Sequence, residues 1–136
     1  PELLLSRIGL IRREGLASIA DGVMARWFTP SFCEQHPERV QWAKQMLLET
    51  RPEAYASTAE MVCNLDLRPE VEQIWIPTLI LYGENDLATP PAWTRAVHER
   101  LPGSTLCGLA AAHLVNVEAA EEFSDRAIDY LRHVIR

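Results

Sequence analysis

Two residues in this sequence belong to types that do chemistry together. Asp86 follows the turn Gly83-Glu84-Asn85, and His113 follows the small-residue run Ala110-Ala111-Ala112. An Asp beside a His accepts a hydrogen bond from Nδ1–H, fixes the tautomer and stabilises the imidazolium. Nε2 is then left to take a proton from a nucleophile. Taken singly, each has an ordinary reading. An Asp after Gly-x-x is a turn residue, and a lone His in a loop is a surface residue. As a pair they carry more weight, because each stands just past an apolar, β-rich run. Leu87 and Val115 flank the acid and the base. They could shape the substrate side of such a site or simply pack beneath it. His36, His98 and His133 have no acid or His at metal-ligand spacing, so no metal is expected.

The elements that must position the pair lie after Ile76-Pro77. Thr78-Leu79-Ile80-Leu81-Tyr82 is a continuous apolar run that suits a parallel strand buried on both faces. Pro90-Pro91 pre-sets a helix whose inner face is Val97 and Leu101, ended by Pro102-Gly103. Ser104–Leu109 reads as a second strand. A last helix covers about Glu118–Val134, with Phe123, Ala127, Leu131 and Val134 facing in and Asn116 and Glu118 serving its start. Strand, helix, strand, helix is the rhythm of a parallel sheet, and ligands of such sheets gather beyond the strand C-termini. The preceding stretch reads as all helix. Leu16, Ile19, Val23 and Trp27 predict one amphipathic helix over roughly 12–27, stopped by Thr29-Pro30. Pro37 opens a second, with Val40, Ala43 and Leu47 on its apolar stripe. A third runs from about Glu53 to Cys63, with Tyr55, Ala59 and Val62 on one side. A short helical turn near 68–73 follows.

Bulk properties narrow the class. The 136 residues carry a net charge of −6, with thirteen Lys and Arg scattered among nineteen acids. No basic stripe invites nucleic acid. No apolar run approaches a membrane span, and the first residues do not read as a signal peptide. Cys33, Cys63 and Cys107 are odd in number and irregular in spacing, which predicts reduced thiols and a cytoplasmic setting. Two parallel strands do not make a stable sheet alone, so further strands are expected from another segment, another chain or self-association.

Pro77-Thr78-Leu79-Ile80-Leu81-Tyr82-Gly83-Glu84-Asn85-Asp86, followed by Thr89-Pro90-Pro91, resembles the acid-strand motif of α/β-hydrolases. Ala112-His113-Leu114-Val115-Asn116-Val117-Glu118 resembles their histidine loop, and Asp then His matches their chain order. Arg7-Ile8, Glu14-Gly15-Leu16-Ala17, Ala25-Arg26-Trp27-Phe28-Thr29-Pro30, Met46-Leu47, Pro52-Glu53-Ala54-Tyr55-Ala56 and Asp66-Leu67-Arg68 resemble the cap of 3-oxoadipate enol-lactonases. The resemblance implies an α/β fold: a helical cap region over 1–65, then the C-terminal part of the core, β-α-β-α, over 66–136. It implies Asp86 and His113 as acid and base, and no cofactor. The implied reaction is hydrolysis of a small carboxylated enol-lactone in the β-ketoadipate route of aromatic degradation. It also puts Arg26 and Trp27 near the substrate, Arg26 as a partner for its carboxylate. Against that stand a solvated helix-end cation and a core tryptophan.

One departure matters. None of the six serines sits in a G-x-S-x-G elbow, which in this family belongs upstream of residue 1. The chain is therefore expected to be a fragment without a nucleophile, inactive alone. Rival readings are another capped hydrolase (esterase, C–C hydrolase, dehalogenase or perhydrolase), a complementing half of a split enzyme, and a non-catalytic interaction module.

Overall fold

The structure, a computed structural model, describes residues 2–134. It divides into two compact units. One holds the residues up to Ala25 together with Cys33–Asp66. The other holds Arg26–Phe32 together with the residues from Leu67 onward.

The first part of the chain is helical: α1 (Glu2–Glu14), a 3-10 turn (Leu16–Ser18), α2 (Ala20–Trp27), α3 (Pro30–Gln35), α4 (Pro37–Glu49) and α5 (Pro52–Asn64). The single helix expected over 12–27 is instead two. Gly15 sits at φ +77°, where a side chain would be strained, and its N–H closes α1 on the Ile11 carbonyl at 2.8 Å. The apolar periodicity survives the break, since Leu16, Ile19 and Val23 are all buried. Thr29-Pro30 does end α2, but Pro30 also opens α3, because a proline fits the first helical turn as readily as it stops the previous one. Ala43 and Leu47 of the expected α4 stripe are buried, whereas Val62 of α5 is exposed and Ala56 takes the inner place. Ile8 packs on Ala56 and Ala59, with Leu4 and Tyr55 beside them. Arg12 then bridges α1 to α5, 2.8 Å from Glu53 and 2.7 Å from Glu60. That guanidinium holds the Glu53 carboxyl below the usual range.

From Leu67 the chain follows the expected rhythm: α6 (Arg68–Val71), β1 (Thr78–Gly83), α7 (Pro91–Arg100), β2 (Ser104–Leu109), α8 (Val115–Glu118) and α9 (Ala120–Val134). The strands pair in parallel, from Thr78 opposite Ser104 to Gly83 opposite Leu109. His98 Nδ1 lies 2.7 Å from the Ser104 hydroxyl, which donates to the Leu101 carbonyl at 2.9 Å and closes the turn between α7 and β2. Leu109, Ala111 and Val115 form a buried cluster with Cys107, Ala119 and Phe123 against it. The last helix is interrupted at Ala119. Asn116 therefore lies inside α8 rather than capping it, and Leu114 takes the cap position. Leu101 is buried as expected, but Val97, Leu131 and Val134 are exposed, because none of the described residues covers those faces.

Candidate active site

The sheet delivers Asp86 and His113 on adjacent loops at the same strand ends. Those loops are joined by main-chain bonds. Glu84 N–H donates to the Leu109 carbonyl at 2.9 Å, and Asn85 N–H donates to the Ala111 carbonyl at 3.0 Å. Gly83 makes the approach possible, since a Cβ there would fall on the carbonyl oxygens of Ala111 and Ala112.

Asp86 is 6% exposed, the one buried charged residue among the described residues. Its Oδ1 accepts from the N–H groups of Ala88 and Thr89 at 2.7 and 2.9 Å. Its Oδ2 accepts from the Thr89 hydroxyl at 2.6 Å and from His113 Nδ1 at 2.8 Å. Burial alone would push this carboxyl up. The Thr89 hydroxyl, the His113 ring and the two backbone donors outweigh it and hold Asp86 below the ordinary carboxylate range.

These bonds dictate where the imidazole proton sits. A carboxylate only accepts, and the Thr89 proton is already turned to Asp86. The Thr89 oxygen, 3.2 Å from Nδ1, therefore presents lone pairs to it as well. Both neighbours call for Nδ1–H, which leaves the Nε2 lone pair free. The His113 side chain is 32% exposed.

The segment after α2 closes around His113. The Trp27 ring stacks beside His113, centroids 6.4 Å apart and planes 30° from parallel. Its carbonyl, one of the unpaired oxygens at a helix end, accepts from Leu114 N–H at 3.1 Å. The Glu118 carboxylate takes Ala112 N–H at 2.9 Å together with the backbone N–H and hydroxyl of Thr29. Arg26, on the same turn as Trp27, is half-buried and has no ion pair among the described residues. Leu87 is exposed beside Asp86, and Val115 is buried with Leu109 and Ala111. Of the sequence candidates, the structure thus brings Asp86, His113 and Trp27 into contact and puts Val115 in the packing beneath. Thr89 is a site residue that the sequence reading misses, although an Asp followed by Thr at the third position is a turn pattern. Glu118 and Thr29 do more here than start one helix and stop another. Among the described residues no group of His, Cys, Asp and Glu has metal-site geometry, and no helix is long and apolar enough to cross a membrane.

The family model described as TAP-like protein, an α/β-hydrolase family, matches residues 55–132. The 3-oxoadipate enol-lactonase 2 of Acinetobacter baylyi is 38% identical over 88% of this chain and 45% of its own. An enol-lactonase structure from Burkholderia xenovorans superposes with a TM-score of 0.94 at 35% identity, over 97% of this chain and 51% of that one. A thermophilic esterase from Thermogutta terrifontis gives 0.86 at 30% identity, over 98% and 50%. The chain spans about half the length of the relatives it matches. Its matched strands, loops and helices place it in known company: the chain belongs to the α/β-hydrolases, in the family described as TAP-like protein.

Proposed function

We propose that this chain is one half of a serine hydrolase that opens a small carboxylated enol-lactone. It supplies the acid and the base of a triad whose nucleophile lies on the other half. Residues 1–65 serve as the cap region and 66–136 as the C-terminal part of the catalytic core. The observation that carries this reading is the 2.8 Å bond from His113 Nδ1 to a buried Asp86, in a chain similar to enol-lactonases along most of its length.

The chemistry follows from the free Nε2. A serine hydroxyl passes its proton to Nε2 as its oxygen attacks the lactone carbonyl. The lactone C–O bond then breaks, and the imidazolium returns the proton to the leaving enol oxygen. Water, deprotonated by the same nitrogen, then attacks the acyl-serine carbonyl. The acyl–serine bond breaks as the proton returns to the serine oxygen, and the released enol acid tautomerises to the open 3-oxo acid. Asp86 holds the ring in register and stabilises the imidazolium without itself taking the proton. Arg26, a cation with no ion pair among the described residues, suits the substrate carboxylate. Trp27 and Leu87 border the approach, and Val115 supports the loop from below. A simple carboxylic ester is the second reading, favoured by the similarity to the Thermogutta esterase.

The partner of this chain is the strand-bearing other half. Among the described residues β1 and β2 pair only with each other, and Trp75 and Ile76 just before β1 stand 78% and 70% exposed. Cys33, Cys63 and Cys107 form no disulfide, which fits a reducing, cytoplasmic setting. Assays of enol-lactone and aryl-ester hydrolysis test the proposal. The chain alone is expected to be inactive, and mixing it with the serine-bearing half of a related enol-lactonase is expected to produce turnover that His113→Ala abolishes. Turnover by the chain alone, lost in His113→Ala, would overturn the split reading. Turnover of the mixture untouched by His113→Ala would overturn the role of the base.

A further inference from the structure

His113 is held from both sides by one short segment. The residue before it, Ala112, donates its N–H to Glu118 Oε2 at 2.9 Å. The residue after it, Leu114, donates to the Trp27 carbonyl at 3.1 Å. Glu118 in turn receives the Thr29 backbone N–H at 3.3 Å and the Thr29 hydroxyl, while the Thr29 oxygen accepts from Phe32 N–H at 3.3 Å. The Trp27 ring rests against the imidazole itself. Glu118 is partly buried, and three donors converge on its carboxylate. Charge-assisted bonds of this kind are about twice as strong as neutral ones.

We infer that Glu118 and Thr29 are positioning residues for His113. Together they lock the 27–29 segment to the histidine loop and so fix the imidazole against Asp86. Glu118 touches no reacting atom. It acts through the Ala112 peptide and through Thr29, which holds Trp27 beside the ring. This deepens the reading of His113 as base. Its test reads the ring directly, so a failed hydrolysis assay and a failed positioning claim remain separate results.

The test is ¹⁵N NMR of the His113 ring in this chain as it stands, with the neutral imidazole. Wild-type protein is expected to show one tautomer, protonated at Nδ1, with His113 ring protons displaced by the Trp27 ring current. In Glu118→Ala and Thr29→Val the bias toward that tautomer is expected to fall roughly tenfold, the equivalent of about 1.4 kcal/mol of orientation, and the ring-current displacement to collapse. Thr29→Ser restores the hydroxyl and is expected to restore both signals. Where Glu118→Ala does not fold, Glu118→Gln replaces it. That variant keeps one acceptor oxygen and loses the charge, and an intermediate loss of the bias is expected. Folded variants, by near-ultraviolet circular dichroism, whose His113 tautomer and ring shifts match wild type would overturn the inference. So would a Thr29→Ser protein that behaves like Thr29→Val.

Discussion

Asp86 carries four hydrogen bonds in a buried site, and that makes the carboxylate both the orienting group and a source of pH-dependent stability. Its folded pKa is held down, so the sign is that of a depressed acid. The stabilisation is complete above about pH 4, where an unfolded Asp is ionised. It is lost progressively as pH falls from there through the lower folded value. Urea midpoints of wild type are therefore expected to drop in acid more steeply than those of Asp86→Asn, and equal slopes would contradict this. In the reconstituted enzyme Asp86→Asn is expected to lower kcat roughly ten-thousandfold, the scale found when a triad carboxylate is made neutral, with ester turnover as the readout. Thr89→Val, which removes one donor to Oδ2 and one acceptor near Nδ1, is expected to cost less because Asp86 remains. Asp86 and His113 are legible in the sequence because each ends a recognisable strand. The partnership of Thr29 with Glu118 is not, since their bond spans 89 positions and no local pattern announces it.

At the scale of elements, two glycines separate strain from collision. Gly15 needs its positive φ, but a Cβ there meets nothing within 4 Å. Gly15→Ala is expected to cost about 1–3 kcal/mol of backbone strain and to leave His113 NMR signals unchanged. Gly83→Ala drives a methyl into the carbonyls of the loop that carries His113. It is expected to destabilise by about 1–3 kcal/mol or more and to shift those signals, with urea titration and ring ¹⁵N shifts as the two checks. Equal effects on His113 from both would contradict the geometry. Periodicity finds the strands within a residue, because β1 and β2 are short apolar runs bounded by turn residues. It merges α1 with α2 because apolar spacing carries across Gly15 even where the backbone does not. It also turns Leu131 and Val134 inward, because an amphipathic pattern marks the face that wants cover without saying whether the same chain provides it.

For the molecule as a whole, the open edges of the two-stranded sheet and the exposed Trp75, Ile76 and Leu131 leave apolar surface, which under the proposed split the other half would cover. Isolated chain is expected to self-associate in light scattering, above its 15.4 kDa monomer mass, and to return to a single defined complex when the other half is added. A compact monomer at all concentrations would contradict this. What matters most is which imidazole nitrogen the buried Asp86 carboxylate leaves bearing the proton. The ¹⁵N spectrum of the neutral His113 ring, in wild type and Asp86→Asn, measures that directly. The expected result is a proton on Nδ1 and a bare Nε2 in wild type, giving way to a mixture in Asp86→Asn. A wild-type ring protonated mainly at Nε2, or a spectrum indifferent to Asp86→Asn, would contradict the assignment of His113 as a base oriented by Asp86.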